Sequence, residues 1–65
     1  MDIKNLQSSL ETIEAVCVDR NLKPTVEQII GALFTMHGMT EDVTAGVMYI
    51  SHDIDALAAK LAEVK

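Results

Sequence analysis

Cys17 carries the most reactive side chain of this 65-residue sequence. A cysteine thiolate is a strong nucleophile and a redox-active group, so a catalytic role has to be weighed. The residue lies late in the first predicted helix, where the negative end of the helix dipole disfavours a thiolate. Its spacing also places it on an apolar stripe. We therefore interpret Cys17 as a buried core residue.

Met36, His37 and Met39 form a second group with chemical potential. Thioether and imidazole groups together are suitable ligands for Cu(I). A periplasmic copper carrier would need an export signal, and the polar N-terminus has no apolar signal segment. The simpler interpretation is that Met36 and Met39 are core residues flanking a turn. His37 then lies at the C-terminal end of a helix, where a positive charge is favourable.

His52, Asp53 and Asp55 form a third group. Two carboxyl groups can act as acid and base when burial separates their pKa values. Asp53 and Asp55 are two positions apart, however, so they point to different faces of a helix. Metal sites need three or four converging ligands, which this group does not supply. We expect a solvated surface here, and we predict no catalytic residue, no metal site, no cofactor and no enzymatic activity.

These candidate residues lie on segments whose apolar spacing predicts helices. From Ile3 to Cys17, apolar residues recur at steps of three and four, which is typical of an amphipathic helix. Asp2 can cap its start, and Arg20 suits the negative end of its dipole. The first helix is therefore predicted over about residues 2–20.

A second helix is predicted after a break at Pro24, which disfavours helical geometry in the residue before it. Thr25 and Gln28 fit a capping-box pattern, in which each side chain satisfies a backbone N–H at the start of a helix. Gly38 suits the end of the same helix, since glycine readily adopts a positive φ. The predicted range is about residues 25–37.

The longest apolar pattern occupies the C-terminal part of the chain. Thr40 is a good N-cap, and the apolar residues that follow alternate at steps of four and three. This spacing predicts one continuous helix over about residues 40–64, about 39 Å long at 1.5 Å per residue. A parallel two-stranded coil is disfavoured, because Lys60 and Lys65 would repel each other across it. The stripe comprises Val43, Val47, Ile50, Ile54, Leu57, Leu61 and Val64.

The acidic composition excludes several classes of partner. Five basic and ten acidic residues give a formal net charge of −5. Such a charge opposes binding to nucleic-acid phosphates and to anionic membranes. No apolar run approaches the roughly 20 residues of a membrane span. We expect a soluble cytoplasmic protein in which the lone thiol stays reduced.

The predicted fold class is all-α. It is a single helical domain over residues 1–65, a three-helix bundle-like arrangement with a long C-terminal helix, completed by oligomerisation. A chain of this size buries only about 60% of the surface that it exposes when unfolded. One cysteine cannot form an internal disulfide, so association with another chain is the expected source of additional stability.

The predicted interface lies on the C-terminal helix. The second helix is about half as long, so the first helix or another chain must cover the later part of the long apolar stripe. The expected partners are a second copy, forming a homodimer, and an unidentified protein. Tyr49, with Met48 beside it in the sequence, is also a suitable interface anchor. The predicted interface residues are Met48, Tyr49, Ile50, Ile54, Leu57, Leu61 and Val64.

These features favour a small acidic protein–protein interaction module, namely an adaptor, assembly chaperone or inhibitor. The alternative is a dimeric helix-turn-helix-like DNA-binding transcriptional regulator that uses residues 24–51. Its second helix would begin with Glu41 and Asp42 and would carry no Lys or Arg before Lys60. Acidic residues at that position oppose insertion into the major groove, so nucleic acid is an unlikely partner.

Overall fold

The structure is a computed structural model that describes residues 3–63. These residues form helices and no strand: α1 is Ile3–Arg20, α2 is Val26–His37, α3 is Glu41–Tyr49 and α4 is Ser51–Ala62. None of these helices combines the length and the apolar character needed to cross a membrane. The all-α class is confirmed, and the prediction of three helices is wrong, because two helices occupy the predicted range of the third.

The end of α1 is fixed by its backbone. Asn21 has a φ of 56°, a left-handed conformation that asparagine tolerates better than most residues. The N–H of Leu22 donates to the carbonyl of Cys17 at 2.8 Å, and the N–H of Asn21 donates to the carbonyl of Val18 at 3.3 Å. This pair of bonds is a Schellman motif, which satisfies carbonyls that the helix end would leave free. The chain then turns towards Pro24.

The starts of α2 and α3 follow the sequence prediction. Thr25 Oγ1 accepts a hydrogen bond from the N–H of Gln28 at 3.2 Å, and the N–H of Thr25 donates to Gln28 Oε1 at 2.9 Å. The predicted capping box is therefore confirmed. Thr40 Oγ1 accepts from the N–H of Val43 at 3.2 Å. Gly38 has a φ of 85° between the two helices, which explains why glycine is favoured there.

Ile50 divides the predicted long helix into α3 and α4. Its φ of −100° and ψ of 19° lie in the sparsely allowed region beside the helical one. Tyr49 and Ile50 have only modest helix propensity, and a serine such as Ser51 competes with the backbone for hydrogen bonds. Asp53 falls in the first turn of α4, where a negative charge is favourable. Local preference for an uninterrupted helix is therefore weak.

Tertiary contacts join all four helices on both sides of this break. At 1.5 Å per residue, α2 is about 18 Å long, whereas a straight helix through α3 and α4 would be about 33 Å. Such a helix would extend well beyond the end of α2. With the break, each of the four helices contacts the other three.

The core nevertheless contains the predicted apolar stripe. All the stripe residues that the structure describes are buried, because Ile50 itself points inwards and keeps α3 and α4 in phase. Val64 lies outside the described residues. From α1 and α2, the buried apolar residues are Leu6, Leu10, Cys17, Ile29 and Leu33. Phe34, the only Phe, packs at the edge of this core and is only partly buried.

Candidate functional site

The predicted interface residues of α4 lie in the core of a single chain. Ile50, Ile54, Leu57 and Leu61 belong to one buried cluster with residues of α1 and α2. Both α1 and α2 contact α4, so helices of the same chain cover the later half of the stripe. Leu57 borders the surface cleft between α1 and α4, whereas Ile50, Ile54 and Leu61 are at most 2% exposed. Their role as an interface stays a prediction.

Met48 and Tyr49, the other predicted interface residues, lie on the surface at the end of α3. Their side chains are 71% and 78% exposed. Tyr49 borders a shallow cavity of about 240 Å³ together with Ile3 and Asp42. Both side chains are therefore accessible to a partner, although Asp42 adds a charge to that surface.

The structure places the candidate chemical groups apart from one another. Cys17 is 6% exposed, as predicted, and the cavities that it borders include neither His37 nor His52 among their lining residues. His52, Asp53 and Asp55 are exposed on α4. Among residues 3–63, no group of three or more His, Cys, Asp and Glu side chains is placed to hold a metal ion.

A serine–histidine pair joins α1 to the end of α2. Ser9 Oγ is buried, lies 2.6 Å from Nε2 of His37 and donates a hydrogen bond to the carbonyl of Asn5 at 3.1 Å. Because a hydroxyl carries one proton, both bonds form together when Nε2 of His37 donates to Ser9. An activated serine needs the opposite arrangement, in which the imidazole accepts the hydroxyl proton. The pair therefore acts as a structural tie between the two helices.

Sequence reasoning missed this tie, since its members are 28 positions apart. A signal was present, because Ser9 lies at helical spacing from the apolar Leu6 and Ile13. A polar residue on a buried stripe needs a hydrogen-bond partner, and His37 provides one.

An apolar groove runs along the surface between α1 and α2. It has a volume of about 300 Å³. Its lining includes the buried core residues Cys17 and Ile29 and the partly buried Ile13. Side chains closer to solvent extend it: Val16 on α1, with Ala32 and Met36 on α2. We call this surface the α1–α2 groove.

The residues at the edge of the α1–α2 groove are half exposed or polar without charge. Val16 is 43% exposed and Met36 is 49% exposed. Thr12 and Gln28 supply the polar groups, and no charged side chain is among the lining residues. The prediction that Met36 is a core residue is wrong, because α2 ends one residue later and leaves the side chain at the groove edge. Met39 is likewise exposed, in the link after α2.

The cleft between α1 and α4 has a similar size and a different chemistry. Its volume is about 370 Å³, and its lining includes the charged residues Glu11, Glu14, Asp53 and Lys60. Lys60 Nζ lies 2.6 Å from Glu14 Oε2, an ion pair that bridges the two helices. We call this surface the α1–α4 cleft. Charged groups keep water when they can, so this cleft resists dehydration by an apolar partner.

Gly31 lies next to Ala32 on the outer surface of α2. It is exposed, and a Cβ atom built on it would meet no atom within 4 Å. Packing within one chain therefore does not require glycine at this position. A glycine inside a helix is less stable than alanine by about 0.5–1 kcal/mol, so alanine at this position should favour the helix.

The sequence contained part of the signal for the α1–α2 groove. The sequence predicts a smooth strip at Gly31 and Ala32 and places Val16 and Val18 beside the main stripe of α1. Of these residues, Ala32 and Val16 line the groove, and Gly31 and Val18 do not. Charge is also sparse on α2, where Glu27 is its one acidic residue. The sequence does not give the distance between α1 and α2. That distance decides whether Val16 and Met36 contact each other or lie on opposite edges of a groove.

The segment with a helix-turn-helix outline is present as α2, a short link and α3. The link is residues 38–40, and α3 begins with Glu41 and Asp42. The helix α3 carries no Lys or Arg. Comparisons with protein-family models, curated proteins and solved structures found no match to this chain.

Proposed function

We propose that this protein is a small acidic interaction module that binds a helix of another polypeptide in the α1–α2 groove. It would act as an adaptor, assembly chaperone or inhibitor, within a homo- or hetero-oligomer. The observation that carries the proposal is the combination of an apolar floor, half-exposed Val16 and Met36, and a lining without charge.

The chemistry of the groove suits a helix with an apolar face. Burying Val16 and Met36 removes apolar surface from water, which is favourable by roughly 25 cal/mol per Å². Thr12 and Gln28 can exchange hydrogen bonds with a partner at the edge, as polar rims do in protein interfaces. An amphipathic helix commonly binds such a groove through residues spaced by three and four.

A binding role is supported over catalysis by how the reactive side chains are engaged. Ser9 Oγ donates its hydrogen bond to the carbonyl of Asn5, and Cys17 is covered by core residues. A nucleophile needs an adjacent base that accepts its proton, and neither residue has that arrangement.

The proposal can be tested by photo-crosslinking at two matched positions. Met36 at the groove and Asp55 on exposed α4 are each replaced, in separate proteins, by benzoylphenylalanine. Each protein is then irradiated in a lysate of the source organism. Position 36 should give a defined protein adduct, and a second change, Val16→Asp, should remove it, because a carboxylate in the groove opposes burial.

Two outcomes would contradict this function. One is the absence of any adduct at position 36. The other is an identical set of adducts from positions 36 and 55, since that result would show nonspecific contact with the whole surface. The mass of a specific adduct also tells whether the bound polypeptide is a second copy or a different protein.

A further inference from the structure

We infer that Met36 is an oxidation site that regulates the α1–α2 groove: conversion of its thioether to the sulfoxide by hydrogen peroxide blocks binding there. The inference rests on the proposed function and adds a means of control to the same site. It depends on the chemistry of the groove edge, so it holds for any polypeptide that binds the groove through an apolar face.

The sulfur-containing side chains of this chain differ in accessibility. Cys17, the one cysteine, is 6% exposed, whereas Met36, Met39 and Met48 are 49%, 82% and 71% exposed. Oxidation of a cysteine follows its thiolate character and its exposure, and burial keeps peroxide away from Cys17. A thioether needs no deprotonation before it reacts. Peroxide should therefore oxidise the accessible methionines before the thiol.

The reaction needs only peroxide and the side chain. The sulfur of Met36 attacks one oxygen atom of hydrogen peroxide, so that an S–O bond forms while the O–O bond breaks. The proton on the transferred oxygen passes to the departing hydroxide, which leaves as water. The sulfur loses two electrons and the peroxide gains them, giving one sulfoxide and one water molecule. Methionine sulfoxide reductases reverse the change, as a switch requires.

Its position distinguishes Met36 from the other exposed methionines. Met36 lines the α1–α2 groove, whose lining contains no charged side chain. Met39 follows α2 and Met48 lies near the end of α3, and neither lines the groove. Oxidation makes the side chain polar, with an oxygen that accepts hydrogen bonds and donates none. A partner that covers the groove would bury this oxygen, which is unfavourable unless a donor is supplied.

The two polar side chains of the groove lining are poorly placed to supply that donor. The hydroxyl of Thr12 already donates to the carbonyl of Ser8 at 3.2 Å. Gln28 lies in the first turns of α2, about 12 Å along the helix axis from Met36. Its side-chain oxygen is engaged by the N–H of Thr25 at 2.9 Å. The cost of burying the sulfoxide therefore falls on the complex.

Oxidation should leave the fold of the free chain intact. Met36 does not belong to the buried core, and its half-exposed side chain can turn the added oxygen towards water. The end of α2 is also held to α1, since Nε2 of His37 lies 2.6 Å from Ser9 Oγ. Loss of binding after oxidation thus reports on the groove surface rather than on unfolding.

The test uses the full chain with benzoylphenylalanine in place of Thr12, which lines the groove and leaves Met36 present. The protein is treated with hydrogen peroxide until about half of Met36 is oxidised, freed of peroxide and irradiated in a lysate of the source organism. Peptide mass mapping then compares the crosslinked and uncrosslinked pools. Met39 and Met48 are the internal controls, because they are exposed to the same peroxide outside the groove.

The crosslinked pool should contain Met36 almost entirely in the reduced form, with the sulfoxide depleted about tenfold or more, which corresponds to about 1.4 kcal/mol. The sulfoxides of Met39 and Met48 should be equally frequent in both pools. Complete oxidation should remove the adduct, and methionine sulfoxide reductase should restore it. In a Met36→Leu variant, the adduct yield should not respond to peroxide, because leucine forms no sulfoxide. Circular dichroism should show unchanged helicity.

The inference is overturned if the sulfoxide of Met36 is equally frequent in both pools, if Met36 resists peroxide, or if Cys17 is oxidised first. A fall in helicity that accompanies loss of the adduct, or a Met36→Leu variant that responds to peroxide like the parent, would also overturn it. In each case, an adduct from the untreated protein leaves the proposed function intact. No adduct from the untreated protein would contradict the proposed function and the inference together.

Discussion

Two of the surface hollows that α1 borders, the α1–α4 cleft and the α1–α2 groove, differ in charge more than in size. The α1–α4 cleft measures about 370 Å³ and the α1–α2 groove about 300 Å³. The cleft contains the ion pair between Glu14 and Lys60, while the groove is lined by apolar and uncharged polar residues. Their volumes alone do not distinguish the two surfaces. The cost of removing water from charged groups separates them, and it marks the groove as the surface suited to binding.

The same comparison applies to buried and accessible apolar residues. Ile54 is fully buried between helices of one chain, whereas Met36 is half exposed at the groove. The first contributes mainly to folding, because its neighbours are all intramolecular. The second retains surface that only another molecule can cover.

The largest expected effect comes from a substitution in the buried core. Ile54→Ala should lower the free energy of unfolding by about 2–5 kcal/mol, because it leaves a cavity in a core that relaxes only partly. Met36→Ala, at the groove edge, should change it by less than about 1 kcal/mol. Guanidinium denaturation in dilute solution measures both values without a contribution from association. Equal losses would show that the two regions do not differ as described.

The serine–histidine tie should give a smaller loss. Ser9→Ala removes a buried hydroxyl bonded to His37 and should lower the free energy of unfolding by about 1 kcal/mol. Ser8→Ala, on the exposed face of the same helix, has the same gain in helix propensity and serves as the control. Amide hydrogen exchange should become faster at the end of α2 in Ser9→Ala alone. Unchanged exchange there would show that the tie does not hold α2.

Gly31→Ala should stabilise the isolated monomer. A Cβ atom meets open space at this position, and alanine favours a helix over glycine by about 0.5–1 kcal/mol. Thermal unfolding of dilute protein measures the gain. A loss of stability instead would show that Gly31 is needed by the fold itself, and it would weaken the interpretation of α2 as a docking face.

The smallest effect concerns the ion pair in the α1–α4 cleft. Glu14 and Lys60 are partly to largely exposed, so a double-mutant cycle with Glu14→Ala and Lys60→Ala should give a coupling energy of about 0.2–1 kcal/mol. The coupling should decrease in high salt, because exposed charges are screened. A larger, salt-independent value would indicate that this cleft is drier than its exposure implies.

Much of the fold could be predicted from local chemistry. The Thr25 capping box, the Thr40 N-cap and Gly38 each act on neighbouring residues, and all were confirmed. Burial of the C-terminal stripe was also predictable, because the periodicity of apolar residues depends on which face points inwards. The break at Ile50 was not, since a one-residue interruption leaves that periodicity almost unchanged.

The candidate site was less predictable for a related reason. The prediction for α4 assumed a straight helix and left open whether the first helix or another chain covers its later half, and the structure packs both α1 and α2 against α4. The α1–α2 groove depends on how far Val16 lies from Met36, twenty positions away in the sequence. Local patterns do not encode that distance. The half-exposed positions of both residues become apparent only after the helices are packed.

The most direct test of the central claim is the photo-crosslinking comparison between position 36 in the α1–α2 groove and position 55 on exposed α4. We predict a defined protein adduct at position 36 that Val16→Asp removes, because a carboxylate in the groove opposes burial. The absence of that adduct, or the same set of adducts from both positions, would contradict the account.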